Sequence, residues 1–295
     1  MFYRVRVGRV NRRTRKGLIA GIVLVLLAGA YVLGLVAFNT QRDDGHKEFD
    51  IDSGRNGIGV NARVIGVDPA TDAMTVRLEF VPLGTFALTE VALRKPVEVF
   101  INTAKGRTSL RYSRGSVMSP IEATLGLNGG DFLDYPFDTY DAALLVYAQQ
   151  GPKRVPVSMS VTTGFNGFKV DTSRGTFMRQ GYPRFKLRRA STTIFFAVFI
   201  MVVFWATALA AAWLATLVVE RRRKFETASV AFLAALLFAF PTVRNNLPGN
   251  PPIGSLNDFL AFFWTEGIVA LALVALLIAF CVRRLPGTKP PEELD

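Results

Sequence analysis

Four apolar runs divide this 295-residue chain, at residues 17–39, 191–219, 227–243 and 258–282. The hydrocarbon core of a bilayer is about 30 Å thick, so a helix that crosses it needs roughly 18 or more apolar residues in sequence. Gly17–Phe38 and Ser191–Val219 carry no charge, and the second is long enough to tilt. Thr227–Val243 is short but continuous, and Phe259–Val282 holds a single charge, Glu266. Half of the residues are apolar, and they are gathered into these blocks. Four transmembrane helices are the expectation. The first run has an apolar core of about 21 residues, beyond the 7–15 of a cleaved signal, and no A-x-A site follows it. It reads as an uncleaved anchor.

Charge placement sets the orientation. Residues 1–16 hold seven Arg and Lys and no acid. The link 220–226 adds Arg221, Arg222, Arg223 and Lys224, and the tail 283–295 opens with Arg283 and Arg284. Short loops rich in Lys and Arg stay on the cytoplasmic side. Both termini and the 220–226 link are therefore expected inside, in a multi-pass inner (plasma) membrane protein. Residues 40–190 and an outer loop, 244–257, are then outside. The net charge of +12 is explained by insertion and by anionic headgroups. Membrane lipids are expected contacts and nucleic acid is not. The single cysteine, Cys281, lies at the inner end of the last run, so the exported domain holds no disulfide and relies on its own core.

Within 40–190, short alternating apolar segments run from GVNARVIGV (59–67) and MTVRLEFVPL (74–83) to VPVSMSVTT (155–163) and GFKVDTS (167–173). About eight such segments, spaced by Gly, Pro, Asn and Asp, predict an antiparallel sandwich or barrel. The fold class is thus an α+β membrane protein, four helices plus an extracytoplasmic antiparallel β domain. Residues 41–57 are polar and read as a linker. The basic stretch RFKLRRA (184–190) leads into the second helix, either snorkelling to headgroups or forming a lipid or partner site.

The residues offer no catalytic machinery. The one histidine, His46, stands in the linker without a Ser or Cys pattern beside it. Zinc sites need several His or Cys ligands, and nucleotide loops need glycine patterns absent here. No enzyme activity, metal or cofactor is expected. The loop GGDFLDYPFDTYDA (129–142) carries Asp131, Asp134, Asp138 and Asp141. Its acids suit calcium or paired-carboxylate chemistry, but their spacing is not that of an EF-hand. Such residues also shape loops through side-chain-to-backbone bonds, and Tyr135, Pro136, Phe137, Asp138 and Tyr140 are expected to form a structural loop.

An ionisable group within a membrane span marks a functional hypothesis with a named partner. Glu266 lies about 10 Å into the fourth helix, and Arg244 is its natural partner, with Asp258 nearby. Arg244, Glu266 and Asp258 are therefore candidates for a membrane ion pair or partner contact, relay or structural tie. The outer loop PTVRNNLPGNPPIG brings Asn245, Asn246, Pro248, Pro251 and Pro252 together. Its prolines fix φ and remove donors near lipid, giving a rigid surface for docking. Small residues recur at four-residue spacing in two helices: Gly17/Gly21 and Ala30/Gly34, then Ala206/Ala210, Ala208/Ala212 and Ala211/Ala215. That spacing lets helices pack closely, within one bundle or onto other integral membrane subunits.

YPFDTYDAALLVYA and FAFPTVRNNLPGNPPIGSLNDFLAFFWTE resemble an actinobacterial membrane family known by a domain-of-unknown-function label. The resemblance spans most of residues 40–282. It implies an anchor helix, an exported immunoglobulin-like β domain, a three-helix bundle at the carboxyl end and no established catalytic residues. It further implies an accessory subunit of an envelope assembly, such as a lipid importer of the mammalian-cell-entry type, with permease or importer components as partners. A second likeness is to pentameric ligand-gated channels. YPFD (135–138) is similar to their F-P-x-D loop, LRRASTTIFF (187–196) to the start of their first membrane helix, and LPGNPPIGSLNDF (247–259) to the link between their second and third helices. The fourth channel helix is missing, an anchor is added in front, and Ser229–Thr242 lacks polar rings. Accessory subunit, channel-like homo-oligomer and lipid-binding carrier are the three functional expectations.

Overall fold

The computed structural model describes residues 12–44, 48–52, 54–164, 167–177, 180–220 and 226–284. Four long helices and twelve strands are found there. Helix α1 spans Arg12–Asp44, α2 Ser191–Val219, α3 Thr227–Asn245 and α4 Phe263–Arg284. A π-helical turn, Asp258–Phe262, opens α4. All four helices are, by length and composition, long and apolar enough to cross a membrane.

Helix α2 buries Phe204, Ala208, Ala211, Ala215 and Val218 along one stripe. That alternating spacing of three and four keeps one face of a helix toward its neighbours. The stripe meets Leu233 and Phe240 of α3 and Val269, Ala272 and Leu276 of α4. The alanines bring backbones close, and the rings of Phe204 and Phe240 stack at 4.4 Å. Helix α1 lies against α2. A Cβ at Gly34 would stand 3.2 Å from the Phe195 ring, and Thr192 Oγ1 donates to Gln41 Oε1.

The β domain lies between α1 and α2 in sequence. Its strands are β1 (Glu48–Ile51), β2 (Gly57–Asp68), β3 (Ala73–Leu83), β4 (Val97–Thr103), β5 (Gly106–Tyr112), β6 (Ile121–Gly126), β7 (Thr139–Ala143), β8 (Val146–Gln150), β9 (Lys153–Val155), β10 (Val157–Thr162), β11 (Phe168–Phe177) and β12 (Gln180–Arg189). They form three sheets, ordered β1-β10-β2-β3-β6, β11-β12-β7 and β5-β4-β8-β9. Alternate residues point to one shared core: Val60, Ala62 and Val64 of β2, Val97, Val99 and Ile101 of β4, Phe185 and Leu187 of β12. The chain changes sheets between β7 and β8. Asn102 pins that step, its Nδ2 donating to Ala143 O at 2.8 Å and its Oδ1 accepting from Leu145 N at 2.6 Å.

The structure differs from the expected layout at four places. The pairing is antiparallel except between β2 and β10, which run parallel with Val157 opposite Ile58. Residues 41–57 are not a plain linker. Helix α1 continues to Asp44, and β1 pairs with β10 and buries Ile51 at 1% exposure. The basic stretch 184–190 is largely the end of β12. Lys186 and Arg188 face out while Phe185 and Leu187 face in, the two-residue alternation of a strand. Helix α3 also extends past Val243 to Asn245, taking the first residues of the expected outer loop.

Candidate functional site

Strand β12 ends at Arg189 and, after Ala190, α2 begins. Sheet and helix bundle are thus joined without slack, and the last strand residue faces the joint. Counting by two from Phe185 and Leu187 puts Arg189 on the inward face. Its side chain is 2% exposed and stands 2.9 Å from Asp138, whose side chain is fully buried. Arg189 Nε donates to both carboxylate oxygens at 2.9 Å, and Tyr140 Oη donates to Asp138 Oδ2 at 2.9 Å. The guanidinium also lies 4.5 Å from the Phe168 ring, 5.0 Å from Tyr135 and 5.7 Å from Phe132. Taking an ion pair out of water is costly unless its lone pairs are met. Here Nε meets both carboxylate oxygens, a phenol meets one of them and three aromatic faces surround the guanidinium, while the buried Nη2 makes no hydrogen bond among the described residues.

The loop that carries Asp138 is shaped by its own polar groups. Asp131 Oδ1 accepts from Leu133 N at 2.8 Å and caps a short turn, Phe132–Asp134. The Tyr135–Pro136 bond is cis. Tyr135 is fully buried and packs with Ala197 of α2 and Leu247 of the α3–α4 loop, while Phe137 is exposed. The Tyr135 hydroxyl is buried with no hydrogen-bond partner among the described residues. Burial pushes its pKa up to about 12, against the opposing charge of Arg189. Burial also raises the Tyr140 phenol, helped by the neighbouring Asp138 charge and hydrogen bond.

The α3–α4 loop is closed by a second forked pair. Arg244 Nε donates to Asp258 Oδ1 at 2.8 Å and Nη2 to Oδ2 at 2.6 Å. Nη2 also donates to Pro252 O at 2.6 Å, Nη1 approaches Asn245 Oδ1 at 3.5 Å, and Gly254 N donates to Asp258 Oδ2 at 2.8 Å. Asn246 Nδ2 caps Thr242 O at 2.7 Å. Pro251 is buried, Pro252 half-buried and Pro248 exposed. Gly249, at φ +83°, leans on the β domain: a Cβ there would lie 2.3 Å from Arg189 Nη1. Both forked pairs thus stand at one junction, with Tyr135 against both helix α2 and the loop.

The expected Arg244–Glu266 tie is replaced by Arg244–Asp258. Glu266 lies eight residues beyond Asp258, about 12 Å along a helix, and Arg244 is already spent on Asp258 and Pro252. Glu266 Oε2 is buried with no hydrogen-bond partner among the described residues. The small-residue stripes divide. Ala208, Ala211 and Ala215 are buried and Ala212 half-buried, while Ala206 and Ala210 face outward. On α1, Ala30 is half-buried and Gly34 meets Phe195, whereas no atom comes within 4 Å of a Cβ placed at Gly21; Gly17 lies further toward the helix start. Arg221, Arg222, Arg223, Lys224 and His46 lie outside the described residues. Among the described residues no group of three or more His, Cys, Asp and Glu converges as a metal site. Sequence reading missed Arg189, although the count of two from Leu187 was available to find it.

The class defined by this geometry is a strand-built domain fused to a bundle of long apolar helices through buried Arg–Asp pairs. Residues 48–183 match a family model described as a domain of unknown function (DUF4436). Residues 189–283 match a second, also described as a domain of unknown function (DUF8686). The first match ends within β12 at residue 183, and the second begins at the last residue of that strand, Arg189. Both fit an uncharacterised family. No curated protein matches the chain.

Proposed function

We propose that the chain is a multi-pass inner-membrane protein with cytoplasmic termini and an exported immunoglobulin-like sandwich. It acts without catalysis, as an accessory subunit of an envelope complex of the lipid-importing, mammalian-cell-entry type. The observation that carries this reading is the division of α2 into two small-residue faces. Ala208, Ala211 and Ala215 are used inside the bundle, while Ala206 and Ala210 remain exposed beside Leu209 and Trp213. Small residues at that spacing accept a neighbouring helix closely in lipid. The buried junction supports the same reading, since its contacts tie the β domain to the helices and let the protein hold a partner on both levels.

A channel-like homo-oligomer is the second reading. It is favoured by the meeting of the Asp138 loop, Arg189 at the start of α2 and the α3–α4 loop at one place, the elements that resemble those of pentameric channels. The apolar stretch of α3 speaks against conduction, because selectivity filters need carbonyl or charged rings.

Purification of the full chain from native membranes in mild detergent, followed by mass spectrometry, separates the readings. Recovery of permease or importer subunits supports the accessory role. A ring of identical copies supports the channel. A monomer that retains only lipid points to a carrier and counts against both.

A further inference from the structure

Strand β5 closes one edge of the β5-β4-β8-β9 sheet, with β4 on one side and no described strand on the other. All seven of its residues pair with β4 in unbroken register, from Val97 opposite Tyr112 to Thr103 opposite Gly106. Asn102 stands opposite Arg107 and donates its N–H away from β5, to Leu145 O at 3.2 Å. The two are therefore a pair without mutual hydrogen bonds, and the N–H and C=O of Arg107 turn away from β4. The two-residue period of a strand turns those of Ser109 and Arg111 the same way. A row of backbone donors and acceptors thus lines an edge that no proline or bulge interrupts. Residues 106–109 and Arg111 are exposed, while Leu110 and Tyr112 pack partly against the core and hold the strand in place.

An open edge invites any strand, and charged side chains are a common guard against it. Here the guard has one sign. Lys105, Arg107, Arg111 and Arg114 fall within residues 105–114, which contain no acid. Arg107 and Arg111 share one face of β5 with Ser109. Arg107 rests 4.8 Å from the Phe100 ring centroid. Glu98 of β4 meets Arg111 at 2.8 Å, yet that arginine side chain stays 85% exposed. A second copy of β5 paired antiparallel about Ser109 would set Arg107 against Arg111, and like charges directly opposite repel. An acidic strand meets no such bar.

We propose that β5 is a docking edge for an extended acidic segment of a partner protein, which adds antiparallel beside it as a further strand of the sheet. The backbone row of Arg107, Ser109 and Arg111 supplies the main-chain bonds. The two arginines select acids at the positions opposite them. The inference goes beyond the subunit reading and does not rest on it, since peptide binding by the purified chain and recovery of importer subunits are separate measurements.

The test uses the full chain in nanodiscs of phosphatidylcholine, titrated by calorimetry with the peptide acetyl-Val-Glu-Val-Thr-Val-Glu-Val-amide. Centred on Ser109, this peptide sets one Glu opposite Arg107 and the other opposite Arg111. Saturable binding is expected, with hydrogen-exchange protection gained over residues 106–112. The same peptide with Lys in place of both Glu is expected to bind about tenfold more weakly, the scale of two reversed cross-strand charge pairs. The acidic peptide N-methylated at its central Thr cannot complete the edge bonds and is expected to lose binding. Ser109→Pro removes an N–H that β4 does not use, a place where an edge strand tolerates proline. It is expected to keep the parent's thermal midpoint and lose the peptide. No binding of the acidic peptide, equal binding of its Lys form, full binding of the N-methylated form or by Ser109→Pro, or protection confined to other residues overturns the proposal. Protection of residues 106–112 by phosphatidylglycerol discs without peptide also overturns it and makes the edge a lipid contact.

Discussion

Arg189 and Asp138 are 51 residues apart in sequence, yet the guanidinium donates to both carboxylate oxygens at 2.9 Å in a buried joint between strand and helix. Arg189 ends β12 next to the start of α2, so the pair fixes the position of the Tyr135–Tyr140 loop relative to the helix. Breaking one side of a buried pair leaves the other charge stranded.

Asp138→Asn is therefore expected to cost about 3–5 kcal/mol and to lower the thermal midpoint of the detergent-solubilised chain sharply. Arg111→Gln, at the exposed contact with Glu98, is expected to leave the midpoint nearly unchanged. Similar shifts for the two variants would show that the Arg189 pair is not structural.

The two buried tyrosines are expected to differ. Tyr140 donates to a carboxylate, so Tyr140→Phe should cost about 1.5–3 kcal/mol. Tyr135 has a buried hydroxyl without a hydrogen-bond partner among the described residues, so Tyr135→Phe should be neutral or stabilising. Its folded-state pKa of about 12 lies above the ordinary value of about 10. The folded chain therefore holds the phenol proton longer than the unfolded chain. That stabilisation is complete below about pH 10 and is lost as pH rises toward about 12. Thermal midpoints measured across this window should fall less steeply for Tyr135→Phe than for the parent.

In the α3–α4 loop, Asp258→Asn strands the buried Arg244 and is expected to cost about 3–5 kcal/mol. Glu266→Gln removes a carboxylate whose buried oxygen has no hydrogen-bond partner among the described residues, and the midpoint is expected to hold or rise. A reversed order, with Glu266 the more sensitive, would restore the Arg244–Glu266 tie.

Gly249 is held at φ +83° with Arg189 beneath it. Gly249→Ala meets both a left-handed backbone and a guanidinium, so the loop must lift from the β domain. Faster proteolysis between residues 245 and 257 and a lower midpoint are expected, whereas Gly21→Ala, with open space around it, should change neither.

Much of this was legible in the residues. The four apolar runs mark the helices because length and polarity alone decide whether a helix suits lipid. The alternation at 59–67 and 74–83 foretells β2 and β3, whose inward faces are uniformly apolar. Strand β12 was hidden because its outward positions are Arg and Lys, which look the same in a snorkelling stretch. Strand β1 was hidden because four residues are too few to show a period. The ion pairs were the least legible. Arg244 has two acids within reach by sequence, and only the π-helical turn at Asp258–Phe262 and the fold of the proline loop decide which one it meets.

The orientation of the β domain bears most of the functional reading, and cysteine labelling tests it directly. With Cys281 replaced by Ser, Ser113→Cys in an exposed turn of the β domain and a cysteine placed at Ala228 near the start of α3 form a matched pair. In intact cells a membrane-impermeant maleimide is expected to label position 113 and to reach position 228 only after permeabilisation. Labelling of 228 but not 113 in intact cells would put the β domain in the cytosol and contradict the proposed function.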